Sequence, residues 1–183
     1  GVSKNKSLAM TWFEKSAGQG HSESMRILGI YYETGRPVVR SFGRAIIWYE
    51  KAAKAGNVKA MRNLATTLLN SSNIAADRER AIALLQKAAK LGNAKAMRNL
   101  GYLHYFNLRP DFKLAAKYFA SAAKAGHGRA AYDIGRLYFR GQGVEQNYAA
   151  AKKHFRDAAD KGHAQAQMML GRMHLLGQAS PID

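Results

Sequence analysis

Cysteine is absent from this chain of 183 residues. That absence excludes a disulfide framework, a thiolate nucleophile and any zinc site built on Cys, while leaving the compartment open. Acidic residues are scarce, 12 Asp+Glu against 29 Lys+Arg, so the formal net charge is 29 − 12 = +17. No apolar run approaches the ~20 residues needed to cross a bilayer. The opening Gly-Val-Ser-Lys is no signal peptide and lacks an initiator Met, so the chain reads as beginning at a processed or excised end. Hydrophobic residues, at 47%, suffice for a core and argue against wholesale disorder. The length fits one domain or one run of small units.

An internal repeat organises the chain. Residues 51–65 read KAAKAGNVKAMRNLA and residues 87–101 read KAAKLGNAKAMRNLG. Weaker copies surround Gly20, Gly126 and Gly162, so that with Gly56 and Gly92 the pivot glycines step by 36, 36, 34 and 36. Eleven residues before each pivot stands Ala (Ala9, Ala45, Ala81, Ala115, Ala151). Bulky pairs follow at −8 and −7: Trp12-Phe13, Trp48-Tyr49, Leu84-Leu85, Tyr118-Phe119 and His154-Phe155. With Ala again at −3, these offsets trace one face of a helix of period ~3.6. After the pivot, Ala at +4, Leu or Ile at +8 and Gly or Ala at +9 mark a second helix whose backbone another helix approaches closely. Asn5, Ser41, Asp77, Asp111 and Asn147 stand 15 residues before the pivots, where a side-chain oxygen caps a helix start. The pivot Gly suits the left-handed position that stops the first helix, and Asn57 and Asn93 can cap the second. One such unit cannot bury its own apolar face; stacked units share a core and form a solenoid.

The Ala-Ala before the pivot, Gly then His or Asn, Ala at +4, Leu-Gly at +8/+9, Tyr32 and Tyr138 at +12 and the GxGV turn at 141–144 are similar to the Sel-like repeat (SLR) family, an α/α solenoid related to tetratricopeptide repeats. The resemblance covers the whole chain. It implies an all-α fold, a right-handed α/α superhelical solenoid of five stacked helix-turn-helix repeats at about 1–36, 37–72, 73–106, 107–142 and 143–178, forming a single domain over 1–183. It also implies a protein–protein adaptor of the kind found in bacterial envelopes, virulence, toxin masking, signalling and protein quality control, with no active site. Three departures stand out. The disulfides of some members are missing. Leu69-Asn70-Ser71-Ser72-Asn73 replaces the GxG turn in the second copy, and the third copy turns through Asn107-Leu108-Arg109-Pro110, so local distortion is expected around 70–76 and 106–111. Leu68, His104 and His174 replace Tyr at +12. Asp183 falls on the cap position of a sixth copy, and neither end reads as a polar capping repeat. A segment of a longer array, or end-to-end self-association, is therefore expected.

Candidate chemistry is thin. His21, His127 and His163 follow pivot glycines, and adjacent copies stand ~10 Å apart, whereas zinc holds its ligands at about 2 Å. No HExxH, phosphate loop or GxSxG occurs. The expectation is a non-enzymatic protein without metal or cofactor. Glu14 and Glu50 read as a solvated face. The basic charge follows the repeat: Lys51, Lys54, Lys87, Lys90, Lys117, Lys124 and Lys153 on first helices, and Arg26, Lys59, Arg62, Lys95, Arg98, Arg129, Arg136 and Arg172 on second helices. Dipole matching accounts for part of this, but not for so few acids. The resemblance implies that first helices line a concave side. Lys51, Lys54, Lys87, Lys90, Lys117 and Lys124 are thus the expected contacts for an acidic protein or peptide, with Asn63 and Asn99 as secondary candidates and Tyr102 as an exposed aromatic anchor. Binding of nucleic acid or another polyanion is the alternative.

Overall fold

The computed structural model describes residues 5–71 and 75–178, and the expected cap at Asp183 and the turn residues Ser72 and Asn73 lie outside them. Among the described residues the structure is helical throughout. The order is α1 (Lys6–Gly18), α2 (Ser22–Thr34), α3 (Phe42–Lys54), α4 (Val58–Ser71), α5 (Ala75–Lys90), α6 (Ala94–Tyr105), α7 (Phe112–Lys124), α8 (Gly128–Arg140), α9 (Tyr148–Ala159) and α10 (Ala164–Leu175). One helix pair falls within each copy of the repeat. Two compact units divide the chain, Gly1–Leu91 and Gly92–Asp183. Within each, a helix packs on its neighbours in sequence, α1 through α5 in the first and α6 through α10 in the second. None of these helices is long and apolar enough to cross a membrane.

The helix boundaries follow from local chemistry. Asn5, Ser41, Asp111 and Asn147 accept from the backbone N–H three residues on, as N-caps do. The pivots Gly20, Gly56, Gly92, Gly126 and Gly162 hold φ between 78° and 89°, where a side chain is strained and a helix stops. One expected cap is corrected. Asp77 lies inside the first turn of α5, which begins at Ala75, and there its charge complements the helix dipole without capping. The last helix of the second copy and the first of the third are the longest: α4 runs 14 residues to Ser71 and α5 runs 16.

Packing in each unit rests on one repeated fit. In four of the five bulky pairs on first helices the second member is buried: Tyr49, Leu85, Phe119 and Phe155 are at most 1% exposed, whereas Phe13 is half-buried. Tyr49, Phe119 and Phe155 lie against the glycine at +9 of the preceding copy. A methyl group placed on Gly101 would stand 2.5 Å from Phe119 Cε1, one on Gly135 would stand 2.8 Å from Phe155 Cδ1, and one on Gly29 would run into the Tyr49 ring. Where the +9 residue is Ala65, the partner position holds the smaller Leu85, and both are fully buried. Around these contacts the helices meet through alanine: Ala45, Ala52, Ala60, Ala81, Ala88, Ala96, Ala115, Ala122, Ala130, Ala151, Ala158 and Ala166 are all 0% exposed.

The outer member of the pair meets the +12 residue of the copy before. His104 stacks on Tyr118 and Tyr138 stacks on His154, both at 5.6 Å and 10°. The two contacts are the same pair with the partners exchanged, which explains how His104 stands in for Tyr.

This fit generates a test. Gly101→Ala overpacks the seam against Phe119 and is expected to lower unfolding stability by about 1–3 kcal/mol, despite a gain of about 1 kcal/mol in helix propensity. Adding Phe119→Leu reproduces the Ala65/Leu85 combination and restores part of the loss. Chemical denaturation of the two single variants and the double variant reads the coupling; additive losses would show that the seam is not set by this contact.

Candidate functional site

The two units carry separate basic surfaces. In the first, Lys51 and Lys54 on α3 and Lys87 and Lys90 on α5 are all exposed. Lys54 and Lys87 come together at a cavity of about 170 Å³ floored by Met61, Leu64 and Leu84. An ion pair crosses it, Arg80 Nη2 to Glu50 Oε1 at 2.5 Å, so Glu50 is not merely solvated. With both partners well exposed to solvent, that pair adds little stability. Lys51 Nζ lies 4.6 Å from the Trp48 ring centroid. In the second unit Lys117 and Lys124 on α7 are exposed. Among the described residues the ion pairs are Arg26–Glu23, Arg80–Glu50 and Arg98–Asp133, so none of these six lysines is matched by a carboxylate.

Acidic side chains are instead used as links between helices. Glu33 on α2 accepts from the Tyr49 hydroxyl on α3 at 2.7 Å and from Thr67 on α4 at 2.9 Å. Burial, then the Glu33 carboxylate, raises the Tyr49 pKa and keeps the phenol protonated. Glu23 accepts from Arg26 and from Asn57. The Arg26 hydrogen bond, opposed by burial and helped by Asn57, brings its pKa down to about 2.

The second unit holds a larger cavity, about 640 Å³, on the second helices and the turn between α9 and α10. Its lining includes Arg98 and Tyr102 from α6, Arg129, Tyr132, Asp133 and Arg136 from α8, and Lys161 and His163 from the turn. Asp133, 4% exposed, anchors its floor. It accepts from Arg98 Nε at 2.6 Å and from the Tyr102 hydroxyl at 2.8 Å, and Arg98 also donates to that hydroxyl. Burial, with Asp133 beside it, pushes the Tyr102 phenol up to about 12.

The secondary candidates are placed differently from expectation. Tyr102 is not an exposed anchor. It is half-buried, with its ring 5.2 Å from Phe119, 5.6 Å from Phe106 and 4.5 Å from the Arg98 guanidinium, and it forms part of the cavity wall. Asn63 is buried beside the Tyr49 hydroxyl and faces the interior, so it is not a surface contact for a ligand backbone. Asn99 is half-buried on α6. The Arg98–Asp133 pair and the contribution of Lys161 are not apparent from periodicity, although the arginines stand in the +3, +6 and +10 rows.

Helix pairs repeated at constant spacing, with charged outer faces and polar links inside, define an α/α repeat protein of the solenoid class. The chain belongs to the Sel1 repeat family: the family model described as Sel1 repeat matches residues 1–21, 22–57, 58–93, 94–127, 128–163 and 164–183. These units begin at second helices, so the five helix pairs appear as four full units flanked by two shorter matches. A solved protective antigen present in uropathogenic Escherichia coli strains, displaying an SLR fold, is similar at 31% identity and a TM-score of 0.86 over 100% of this chain and 39% of that one. A Sel1 repeat protein from Oxalobacter formigenes matches at 29% identity and a TM-score of 0.84, over 96% of this chain and 72% of that one. An immunity protein from Pseudomonas aeruginosa matches at 25% identity and a TM-score of 0.64, over 90% and 62%. The chain thus spans well under half the length of the antigen it resembles. Comparison with curated proteins gives no match. Sel1 repeat proteins mediate protein–protein interactions, and the family fold is in general a non-catalytic scaffold.

The histidine cap of α8 is expected to make the stability pH-dependent. His127 Nδ1 accepts from Ala130 N at 3.3 Å, the task that Asn57 and Asn93 perform at 2.9 and 3.0 Å in other copies. Burial foremost, then Arg98, lowers the His127 pKa; burial likewise leads the lowering at His154 and His163. The unfolded chain takes up protons near the ordinary value of about 6.5 while the folded chain resists them. The associated stability is therefore complete above about pH 6.5 and is lost as pH falls through the depressed folded-state values. His127→Asn is expected to narrow the difference in urea midpoint between about pH 7.5 and about pH 5. An unchanged difference would show that the cap does not titrate.

Proposed function

We propose that this chain is a non-enzymatic adaptor that binds an acidic region of a protein partner through the lysines of its first helices. The observation that carries the reading is the exposure of Lys51, Lys54, Lys87, Lys90, Lys117 and Lys124, none of which has a carboxylate partner among the described residues. Like charges of this kind are screened over ~8 Å at physiological salt. Rows of them oppose folding slightly and attract acidic partners from a distance. The protective antigen and the immunity protein among the similar structures favour a virulence-associated or toxin-masking role.

A partner captured on the immobilised chain, identified by mass spectrometry and required to elute at high salt, provides the assay. Lys87→Glu/Lys90→Glu is expected to slow association about ten-fold with helical circular dichroism unchanged. An unaltered association rate would remove these lysines from the interface. A preparation with excess absorbance at ~260 nm and a salt-dependent shift of added RNA would favour polyanion binding instead.

A further inference from the structure

The cavity on the second helices of the 92–183 unit is a different surface from the lysine-bearing first helices, and its composition points to a ligand. Arg98, Arg129, Arg136 and Lys161 line it against the single carboxylate of Asp133, a balance of 4 − 1 = +3. Asp133 is already engaged by Arg98 and Tyr102, which leaves Arg129, Arg136 and Lys161 without a carboxylate of their own. Lys161 is held in place. Its side chain lies over Gly128, with Cβ and Cδ 3.0 and 3.1 Å from where a methyl group would stand, and its Nζ donates to the Gly126 carbonyl at 3.1 Å. Arg136 is placed over the Tyr132 ring at 5.8 Å. The first turn of α10, with its positive dipole end, also borders the cavity.

Spacing restricts what can satisfy these groups together. Arg129 and Arg136 stand seven residues apart on one face of α8, about 10 Å along the axis. That spacing favours two anionic groups, one for each guanidinium, over a lone phosphate or carboxylate. A peptide in the polyproline II conformation has three residues per turn and rises about 3.1 Å per residue, so acidic side chains three residues apart share a face and span about 9 Å. Guanidinium groups match carboxylates in two-pronged geometry. The tyrosine rings of the cavity already have partners, Tyr132 with His163 at 4.6 Å and Arg136 at 5.8 Å, and Tyr102 with Phe106 at 5.6 Å and Arg98 at 4.5 Å, which disfavours stacking by nucleotide bases. We propose that this cavity is a second binding site, which takes the spaced carboxylates of an extended acidic peptide segment on Arg129, Arg136 and Lys161.

The site stands whether or not the first-helix lysines bind a partner, and one assay separates the two. The probe is a fluorescein-labelled octaglutamate peptide, read by fluorescence anisotropy against the whole chain. Arg129→Gln/Arg136→Gln keeps the aliphatic stems and removes two charges; it is expected to weaken binding at least ten-fold. Arg109→Gln/Lys113→Gln removes the same charge from the exposed stretch leading into α7 and is expected to change it less than two-fold. Lys161→Gln provides an independent readout in case the double variant loses helical circular dichroism, with a loss of about three-fold expected. Equal losses from both double variants would mean diffuse attraction and overturn the cavity site. A loss on Lys51→Gln/Lys54→Gln with none on Arg129→Gln/Arg136→Gln would overturn it while supporting the first-helix reading, and failure of the wild-type chain to bind the peptide would also overturn it. Tighter binding of a single-stranded oligonucleotide, abolished by the same arginine changes, would reassign the cavity to nucleic acid.

Discussion

Bulky side chains of one helix pair seat on bare backbone of the pair before, and the rest of each unit is arranged around that contact. Tyr49 fits at Gly29, Phe119 at Gly101 and Phe155 at Gly135. Ala65 and Leu85 keep the same total bulk with a larger residue on one side and a smaller one on the other. A close-packed interior tolerates exchange of volume across a contact far better than a change in the sum. The fit fixes how far one pair can slide along the next, and so fixes which polar groups meet.

Those polar groups meet at almost one repeat length. Glu23 with Asn57, Glu33 with Thr67, Arg98 with Asp133, Gly126 with Lys161 and Tyr105 with Gln142 are separated by 34 to 37 residues. The chain has few acids, and Glu23, Glu33, Glu50 and Asp133 are all engaged in joining helices or neighbouring turns. Asp111 caps α7. With these acids paired, exposed lysines are left to carry much of the excess of +17.

The repeat, the helix pairs, most caps and the pivot glycines are legible in the sequence because each depends on neighbours within a few residues or on a fixed period. Asp77 departs because α5 extends backwards past the position that period assigns to the cap. Asn63 and Tyr102 depart for another reason: their roles are set by groups on adjacent helices, the Tyr49 hydroxyl and the Asp133 carboxylate. The larger cavity needs three elements at once, and the Lys161 side chain that lines it packs closely over Gly128. One sequence signal does point there. Offset +6 of one copy and +7 of the next hold Arg98 and Asp133, opposite charges in adjacent rows of stacked helices.

The seams themselves are lined by alanine. A buried methyl group loses no rotamer freedom, and parting two such faces exposes little hydrocarbon to water. The heat-capacity increment of unfolding follows the apolar area exposed. Per residue it is therefore small for these seams, and the stability curve around its maximum is correspondingly flat. Cooling below that maximum therefore weakens such a stack only slowly.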